Sequence, residues 1–128
     1  MKKYLALLLT VCLTAACAAA IQGTVAGTAP VKVVGGILTS SEMSLYVFDQ
    51  DRPNSGRSEC SGPCAGKWPP LYATPDDQSS GSYSIIPRDD GRRQWAYAGK
   101  PLYLWSGDRR PGERTGDGVN GQWRLARP

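Results

Sequence analysis

The sequence predicts an all-β fold, a small sandwich or barrel-like antiparallel sheet built from two related halves. Its 15 glycines and 10 prolines are scattered among aromatic residues, as turn residues are in β proteins. Beyond residue 30, no stretch offers ten residues of helical periodicity without a glycine or proline. A segment near residue 45 also reappears near residue 102, which indicates an internal duplication. We expect about six to eight short strands.

The duplication joins Leu45–Pro53 to Leu102–Pro111. Leucine, tyrosine, an aliphatic residue, an aromatic residue, aspartate and arginine align at an offset of 57 residues without a gap. Each copy then runs through a glycine-rich loop to a tryptophan, Trp68 in the first and Trp123 in the second. Two copies are too few for a solenoid, so we expect one domain of two packed halves. The residues of the repeat motif are Tyr46, Phe48, Asp51, Tyr103, Trp105 and Asp108.

Residues 1–20 have the layout of an export signal. Lys2-Lys3 is a basic start, and the apolar run over 4–16 is shorter than the roughly 20 residues that span a bilayer. Leu13–Cys17 is similar to a bacterial lipobox with Cys17 as the lipidated residue, which predicts an outer-membrane lipoprotein facing the periplasm. Ala18-Ala19-Ala20 offers a second cleavage site, which predicts a soluble periplasmic or secreted protein.

The small, uncharged residues 21–30 are expected to tether the anchor to one β domain over residues 31–128. Its halves fall at about 31–75 and 76–128. The chain's net charge is +4, and removal of Lys2 and Lys3 leaves 13 basic against 11 acidic residues. So small an excess does not favour a nucleic-acid partner.

Strands follow in order along both halves. In the first, the apolar runs 31–34 and 36–38 precede the repeated strand Leu45–Asp49. In the second, Tyr83–Arg88 leads through Asp89-Asp90-Gly91 to Gln94–Ala98, and a turn at Gly99-Lys100 leads to Leu102–Ser106. The Asp-Gly pair favours a type I′ hairpin turn.

The repeated strand has two apolar faces. Tyr46 and Phe48 point to one side, and Leu45 and Val47 point to the other. Because neither face is polar, we expect a central strand covered on both sides. An aromatic face left open to a ligand is the alternative.

The length of the turn near Gly99 decides where the second-half aromatic residues lie. A three-residue loop would group Trp95 and Tyr97 with Tyr103 and Trp105, whereas a two-residue loop would set Trp95 and Tyr97 against leucines. The sequence leaves both open. The candidate ligand-contacting aromatic residues are Trp68, Trp95, Tyr97 and Trp123.

Cys60 and Cys64 are the cysteines of the mature domain. In an exported protein, so close a pair predicts a structural disulfide, which would pin the Gly62-Pro63 turn. Redox chemistry is the alternative, because Gly-Pro-Cys is similar to the end of a thioredoxin-type site. The C-x3-C spacing disfavours it, and we expect no helix start beside the pair to activate a thiol.

The chain contains no histidine. This excludes Ser-His-Asp and Cys-His catalysis and imidazole metal sites. Two cysteines are too few for structural zinc, and the acidic residues near Asp117 do not follow a calcium-loop pattern. Asp51 and Asp108 each end a repeated strand and are expected to lock turns. We predict no metal, no cofactor and no enzymatic activity, with a carboxylate-pair hydrolase as the remaining catalytic class.

Three motifs together resemble one family. They are Y-x-F-x-x-D at Tyr46–Asp51, C-x-G-x-C-A-x-x-W-P-P-L at Cys60–Leu71, and W-x-Y-x-G-K-P-L-Y at Trp95–Tyr103. Over about residues 34–128 the chain is similar to predicted bacterial lipoproteins that carry a Y-x-[aromatic]-x-x-D motif, also described as secreted repeats of unknown function. The resemblance implies an exported, often lipid-anchored β domain.

We therefore expect a non-enzymatic cell-envelope lipoprotein or secreted module with a binding or structural role. Its partner would be an envelope protein or a glycan, contacted through aromatic surface. A thiol–disulfide redox or electron-transfer accessory role for Cys60 and Cys64 is the alternative function.

Overall fold

The computed structural model describes residues 27–128. The predicted export signal, Cys17 and most of the predicted tether lie outside the described residues. Within 27–128, no helix is long and apolar enough to cross a membrane. The strands are β1 (Lys32–Val34), β2 (Ile37–Ser40), β3 (Met43–Ser44), β4 (Tyr46–Phe48), β5 (Tyr72–Ala73), β6 (Tyr83–Pro87), β7 (Arg93–Tyr97), β8 (Lys100–Pro101) and β9 (Trp123–Leu125).

The all-β prediction is confirmed. The described residues form nine strands, one more than the six to eight that we expect from the sequence. Helical structure is limited there to α1 (Pro63–Lys67) and a 3-10 turn (Val119–Gly121). The expectation of no helix start beside the cysteines is wrong, since Cys64 is the second residue of α1. Proline at the start of a helix lacks only an N–H that would have no helical partner, which explains the position of Pro63.

The strands form three antiparallel sheets, in the orders β1-β2-β3, β4-β9 and β5-β7-β6, with β8 paired to β7. Strand β9 of the second half pairs with β4 of the first. Strand β5 of the first half pairs with β7 of the second. Each half therefore gives its last strand to a sheet of the other half.

The repeated segments meet at Tyr46 and Tyr103, which exchange backbone hydrogen bonds of 2.8 and 2.9 Å. Equivalent bonds lie on either side of this point. Leu38 N–H donates to the Ala126 carbonyl (2.9 Å), and Trp95 N–H donates to the Leu71 carbonyl (2.8 Å). The halves are thus related by an approximate two-fold axis through the Tyr46–Tyr103 pair, and the predicted duplication is confirmed.

The predicted strand Leu102–Ser106 is wrong. Strand β8 ends at Pro101, and Tyr103 forms isolated bridges, because Leu104 and Ser106 donate their N–H groups to the carbonyls of Pro69 and Lys67.

Strand β4 separates two hydrophobic clusters, so the prediction of a strand covered on both sides is confirmed. On one side, Tyr46 and Phe48 belong to a cluster rich in aromatic residues. On the other, Leu45 packs in a cluster of mainly aliphatic residues, with Val47 at its margin. The alternation of side chains along β4 therefore assigns each residue type to its own core.

The turn between β7 and β8 has two residues, because Tyr97 pairs with Lys100. Ala98 and Gly99 both have positive φ (47° and 77°), as a type I′ turn requires. This register resolves the open alternative, because Trp95 lies beside Leu102, whose N–H donates to the Trp95 carbonyl at 2.9 Å. Trp95 consequently joins the aliphatic cluster.

The hairpin at Asp89-Asp90-Gly91 forms, but its predicted turn type is wrong. Arg88 N–H donates to the Arg92 carbonyl across three loop residues, of which Gly91 alone has a positive φ (81°). The Asp90 carboxylate accepts the Arg92 N–H at 2.9 Å, which holds the longer loop closed. That local hydrogen bond is one that aspartate forms readily in turns.

Candidate functional site

The tyrosine of each repeat motif bonds to the aspartate of the other. Tyr46 Oη donates to Asp108 Oδ2, and Tyr103 Oη donates to Asp51 Oδ2, both at 2.6 Å. All four residues are buried. The two bonds are related by the approximate two-fold axis. They join the halves where the backbones of Tyr46 and Tyr103 pair.

The second oxygen of each aspartate holds the loop that follows its own strand. Asp51 Oδ1 accepts the Glu59 N–H at 2.7 Å, and Asp108 Oδ1 accepts the Thr115 N–H at 2.9 Å. Asp108 Oδ1 also accepts the Thr115 hydroxyl proton at 2.6 Å. The aspartates thus have the loop contacts expected of turn-locking residues and, in addition, join the two halves.

Burial is the main cause of the shifted pKa values in these pairs. It raises the pKa of Tyr46 and of Tyr103 far above the ordinary value for tyrosine, and the neighbouring carboxylates raise both further. Burial also raises the pKa of Asp51, although hydrogen bonds from Tyr103 and Glu59 oppose the change. The phenols therefore stay protonated and act as hydrogen-bond donors rather than as nucleophiles.

The two tryptophans that end the repeats stack on each other. Trp68 and Trp123 lie 3.8 Å apart between ring centroids with an interplanar angle of 4°. Trp105 packs on Trp68 at 4.1 Å, and Phe48 packs on Trp123 at 4.2 Å. The aromatic residues of both motifs thus make one continuous cluster at the joint between the halves.

The structure buries three of the four candidate ligand-contacting aromatic residues. Trp68 and Trp123 are 3% exposed, and Trp95 is fully buried. Tyr97 is partly exposed and packs against Tyr83 at 5.1 Å between ring centroids. In this conformation a ligand at the surface reaches Tyr97 but none of these three tryptophans.

Cys60 and Cys64 form a disulfide. Cys60 is fully buried, and Cys64 packs against the aromatic cluster. The segment just before Cys60 contacts the first tyrosine–aspartate network, since Ser58 Oγ lies 2.6 Å from Tyr103 Oη. The disulfide therefore holds the loop that completes the surroundings of Asp51 and Tyr103.

A partly buried chain of polar side chains beside the disulfide has no clear signal in the sequence. Arg88 donates through Nη2 to the Cys60 carbonyl and through Nη1 to Gln94 Oε1, both at 2.7 Å. Gln94 is fully buried and donates to the Leu102 carbonyl at 2.8 Å. Nothing in the sequence pattern separates this arginine and glutamine from surface residues of a hairpin.

Within residues 27–128, no group of three or more histidine, cysteine or acidic side chains is placed to hold a metal ion. The carboxylates of the repeat motif are instead occupied by phenol, hydroxyl and backbone donors.

An open cleft of about 990 Å³ lies on one face of the β1-β2-β3 sheet. Val34, Ile37 and Thr39 lie on the strands of this face, residues 28–32 form one wall, and the second-half loop around Pro111 forms the other. Its charged lining residues are Lys32, Glu42 and Arg114, and none of the described residues that line it is aromatic. Sequence reasoning missed it because its walls are some 80 residues apart in the chain.

Comparison with known proteins agrees with the repeat found in the fold. A family model described as a secreted repeat of unknown function matches the chain twice, over residues 35–80 and 84–127. No curated protein and no solved structure matches it. The two matches together cover most of the chain and correspond to the two halves that meet at Tyr46 and Tyr103. The chain therefore belongs to the Lipoprotein_15 family of secreted repeats of unknown function.

Proposed function

We propose that this secreted protein is a non-enzymatic module of the cell envelope that presents a rigid surface to a partner protein. One observation carries the proposal: the fold uses the aromatic and acidic residues of its repeat motif to join its own halves. The tyrosines and aspartates of the repeat motif are thereby engaged inside the domain, and the surface is left for recognition.

The cleft on the β1-β2-β3 sheet supports binding better than hydrolysis. Glycoside cleavage uses two carboxylates on either side of the bond, whereas the residues lining the cleft include the single carboxylate of Glu42. Its apolar and hydroxyl-bearing floor, with charges at the rim, has the composition of a protein-binding surface. A protein partner is favoured over a glycan because the lining residues offer no aromatic ring for stacking.

A lipid anchor at Cys17 and an outer-membrane position facing the periplasm complete the proposal. Their support is the lipobox-like Leu13–Cys17 and the alanine that follows it. A redox role for the cysteine pair has less support. Cys60 is fully buried, and α1, with five residues, is too short to give the Cys64 thiol much help from aligned peptide dipoles.

The anchor is tested by expressing the full chain in a Gram-negative host, with Cys17→Ser against the matched control Cys12→Ser. We expect lipidated, membrane-bound protein from the wild type and the control, as measured by intact mass and membrane fractionation. Cys17→Ser should lose the lipid mass. Unchanged fractionation and mass of Cys17→Ser would remove the anchor from the proposal.

The binding role is tested by chemical crosslinking in intact cells of the native organism, followed by purification of the tagged wild-type chain. We expect one envelope protein to be recovered in constant proportion to the bait. A variant with Cys60→Ala and Cys64→Ala should recover the same partner, because the proposal gives the disulfide a structural role. Recovery of glycan alone, or of no partner, would contradict the proposal.

A further inference from the structure

Within residues 27–128, the outer edge of strand β1 has no neighbouring strand. Leu38 donates its N–H to Ala126 and accepts the Leu45 N–H on its carbonyl, so its backbone groups point away from β1. Val33 is the partner of Leu38 in the register, and its own N–H and C=O therefore point outward from the sheet. The described part of the chain supplies no hydrogen-bond partner for either group.

The second half shows the same position covered. Ile85 on β6 lies opposite Trp95, as Val33 lies opposite Leu38. The outward N–H of Ile85 is held by Ser79 Oγ at 3.1 Å. The chain's own segment before β6 also exchanges backbone hydrogen bonds between Ser80 and Tyr83. It therefore covers the β6 edge at Tyr83 and at the Ile85 N–H.

The described residues before β1, 27–31, lie elsewhere. Gly27 forms a bridge with Asp77, and its carbonyl accepts the Gln78 N–H at 3.3 Å. Gly27 therefore pairs with the loop between β5 and β6 and not with the β1 edge. The two halves thus differ at this edge: residues 27–128 supply partners for it in the second half and none for Val33 in the first.

The open edge is apolar and borders a positively charged rim. Val33 and Val34 are 54% and 57% exposed, and they are the large hydrophobic residues exposed among residues 27–128. Lys32 and Arg114 line the adjoining cleft, and neither forms an ion pair with another described residue. Glu42 supplies the one acidic side chain there.

We propose that β1 takes an extended, acidic segment of another envelope protein as an added strand. This inference rests on the proposed binding function and names the partner's chemistry. Unpaired backbone groups at a strand edge are satisfied best by another strand, and side chains on one face of that strand would lie in the cleft. Acidic residues suit the rim of Lys32 and Arg114, whereas a second copy would bring the same cations to the same edge.

The test places a photo-crosslinking residue at Val34 of the full chain, expressed in its native cells. A matched control carries the same residue at Ser84, on the covered β6 edge. We expect crosslinks from position 34 to one envelope protein, and mass spectrometry should map them to a single extended segment with acidic residues. Position 84 should give at most about a tenth of that yield.

Two substitutions then separate the backbone contact from the charge contact. Val33→Pro removes the outward N–H and should lower the crosslinking yield about tenfold, while Val33→Ala keeps the N–H and should retain most of the yield. Arg114→Glu should reduce the yield similarly and does not alter the strand. Equal unfolding midpoints of the variants establish that they are folded. If Val33→Pro does not fold, the crosslinking yield of Arg114→Glu decides the outcome.

Several results would overturn the inference. They are equal yields at positions 34 and 84, a crosslink between two copies of this chain, a mapped segment that is helical or basic, and a yield that Arg114→Glu leaves unchanged. If the wild type still recovers its partner by chemical crosslinking in any of these cases, the binding function stands and the β1 site fails. If no partner is recovered by either method, both fail.

Discussion

The buried hydroxyl group of Tyr46 connects the two halves of this small domain through its hydrogen bond to Asp108. The phenol spans the joint between the halves, and Gly116 N–H in turn donates to its oxygen at 3.2 Å. Such a buried network is stabilising only while each carboxylate oxygen keeps its donor. Tyr103 has the equivalent position with Ser58 as its second partner.

Tyr46→Phe should therefore destabilise the protein by about 1–3 kcal/mol, because it leaves Asp108 Oδ2 buried without its donor. Tyr103→Phe should have a similar effect through Asp51. Urea unfolding measures both. The control is Tyr72→Phe, since Tyr72 is partly exposed and lies outside both pairs, and its effect should stay within about 0.5 kcal/mol. Equal effects of all three changes would contradict the structural role of the pairs.

The same tyrosines predict a loss of stability in alkali. Their pKa values are raised by burial, so the folded chain keeps protons that the unfolded chain loses near pH 10. The contribution of these two tyrosines to the free energy of unfolding is complete below about pH 10 and is lost as the pH rises through their raised pKa values. Above about pH 10, and until the pH reaches the raised pKa values, the free energy of unfolding should fall by about 1.4 kcal/mol per pH unit for each tyrosine.

Urea unfolding between pH 8 and 11.5 tests this dependence. The double variant Tyr46→Phe, Tyr103→Phe should have a shallower slope. Some dependence should remain in it, because burial beside Tyr97 also raises the pKa of Tyr83. An unchanged slope would mean that the two phenols ionise as freely in the folded chain as in the unfolded one.

At the scale of elements, the loop closed by Cys60 and Cys64 is stabilised by its disulfide and by packing. A five-residue loop gains only about 2 kcal/mol from the reduced entropy of the unfolded chain. The variant Cys60→Ala, Cys64→Ala should lose about that much and stay folded, as measured by urea midpoint and near-ultraviolet circular dichroism. Full unfolding in the absence of urea would show that the disulfide is needed for the fold itself.

Two hairpin turns with positive φ at both loop residues, Ser41-Glu42 between β2 and β3 and Ala98-Gly99 between β7 and β8, provide a matched pair of substitutions with opposite effects. Glu42 has a φ of 68° in the first turn, and Gly99 has a φ of 77° in the second. A Cβ on Gly99 would lie 2.7 Å from the Asn54 nitrogen, so Gly99→Ala should cost about 2 kcal/mol or more. Glu42→Gly should stabilise by up to about 1 kcal/mol, since it removes the penalty for a side chain at positive φ. Thermal unfolding measures both, and effects of the same sign would contradict this account.

Elements differ in how far their sequence predicts them. The strands around Tyr46 and Trp95 are predictable because apolar alternation and nearby turn residues are local properties of the chain. The β7–β8 register is not, because a two-residue and a three-residue turn both suit Ala98-Gly99-Lys100, and only packing of Trp95 in the aliphatic cluster selects between them. The helix at Pro63 is too short to give a periodic signal.

At the scale of the whole molecule, the two halves should unfold as one unit. Each gives a strand to the other's sheet, and their tryptophans stack across the joint. Calorimetric and van't Hoff enthalpies should therefore agree in a single transition. Trp68→Leu should lower the midpoint without splitting the transition, whereas Val33→Ala, at an exposed position, should leave the midpoint nearly unchanged. Two resolved transitions would mean that the halves are separate folding units.

The duplication is visible in the sequence, but the way its copies join is not. Similar residues at an offset of 57 predict similar halves. They do not reveal that β5 and β9 change places, because strand pairing between distant segments depends on tertiary packing. The tryptophans illustrate the same limit, since a stacked core pair and a pair of ligand platforms have the same spacing in the chain. The cleft is less predictable still, because it exists only where the two halves meet.

The crossed tyrosine–aspartate bonds have a consequence for how this family evolves. Within one repeat, Tyr46 and Asp51 look like a single motif, yet each makes its side-chain bond with the other repeat. Selection on a tyrosine therefore acts through an aspartate that lies 62 positions away for Tyr46 and 52 positions away for Tyr103. Across related sequences, position 46 should co-vary with 108 and position 103 with 51. A duplicated gene in this family is free to diverge in its loops, but its two copies must keep this pairing together.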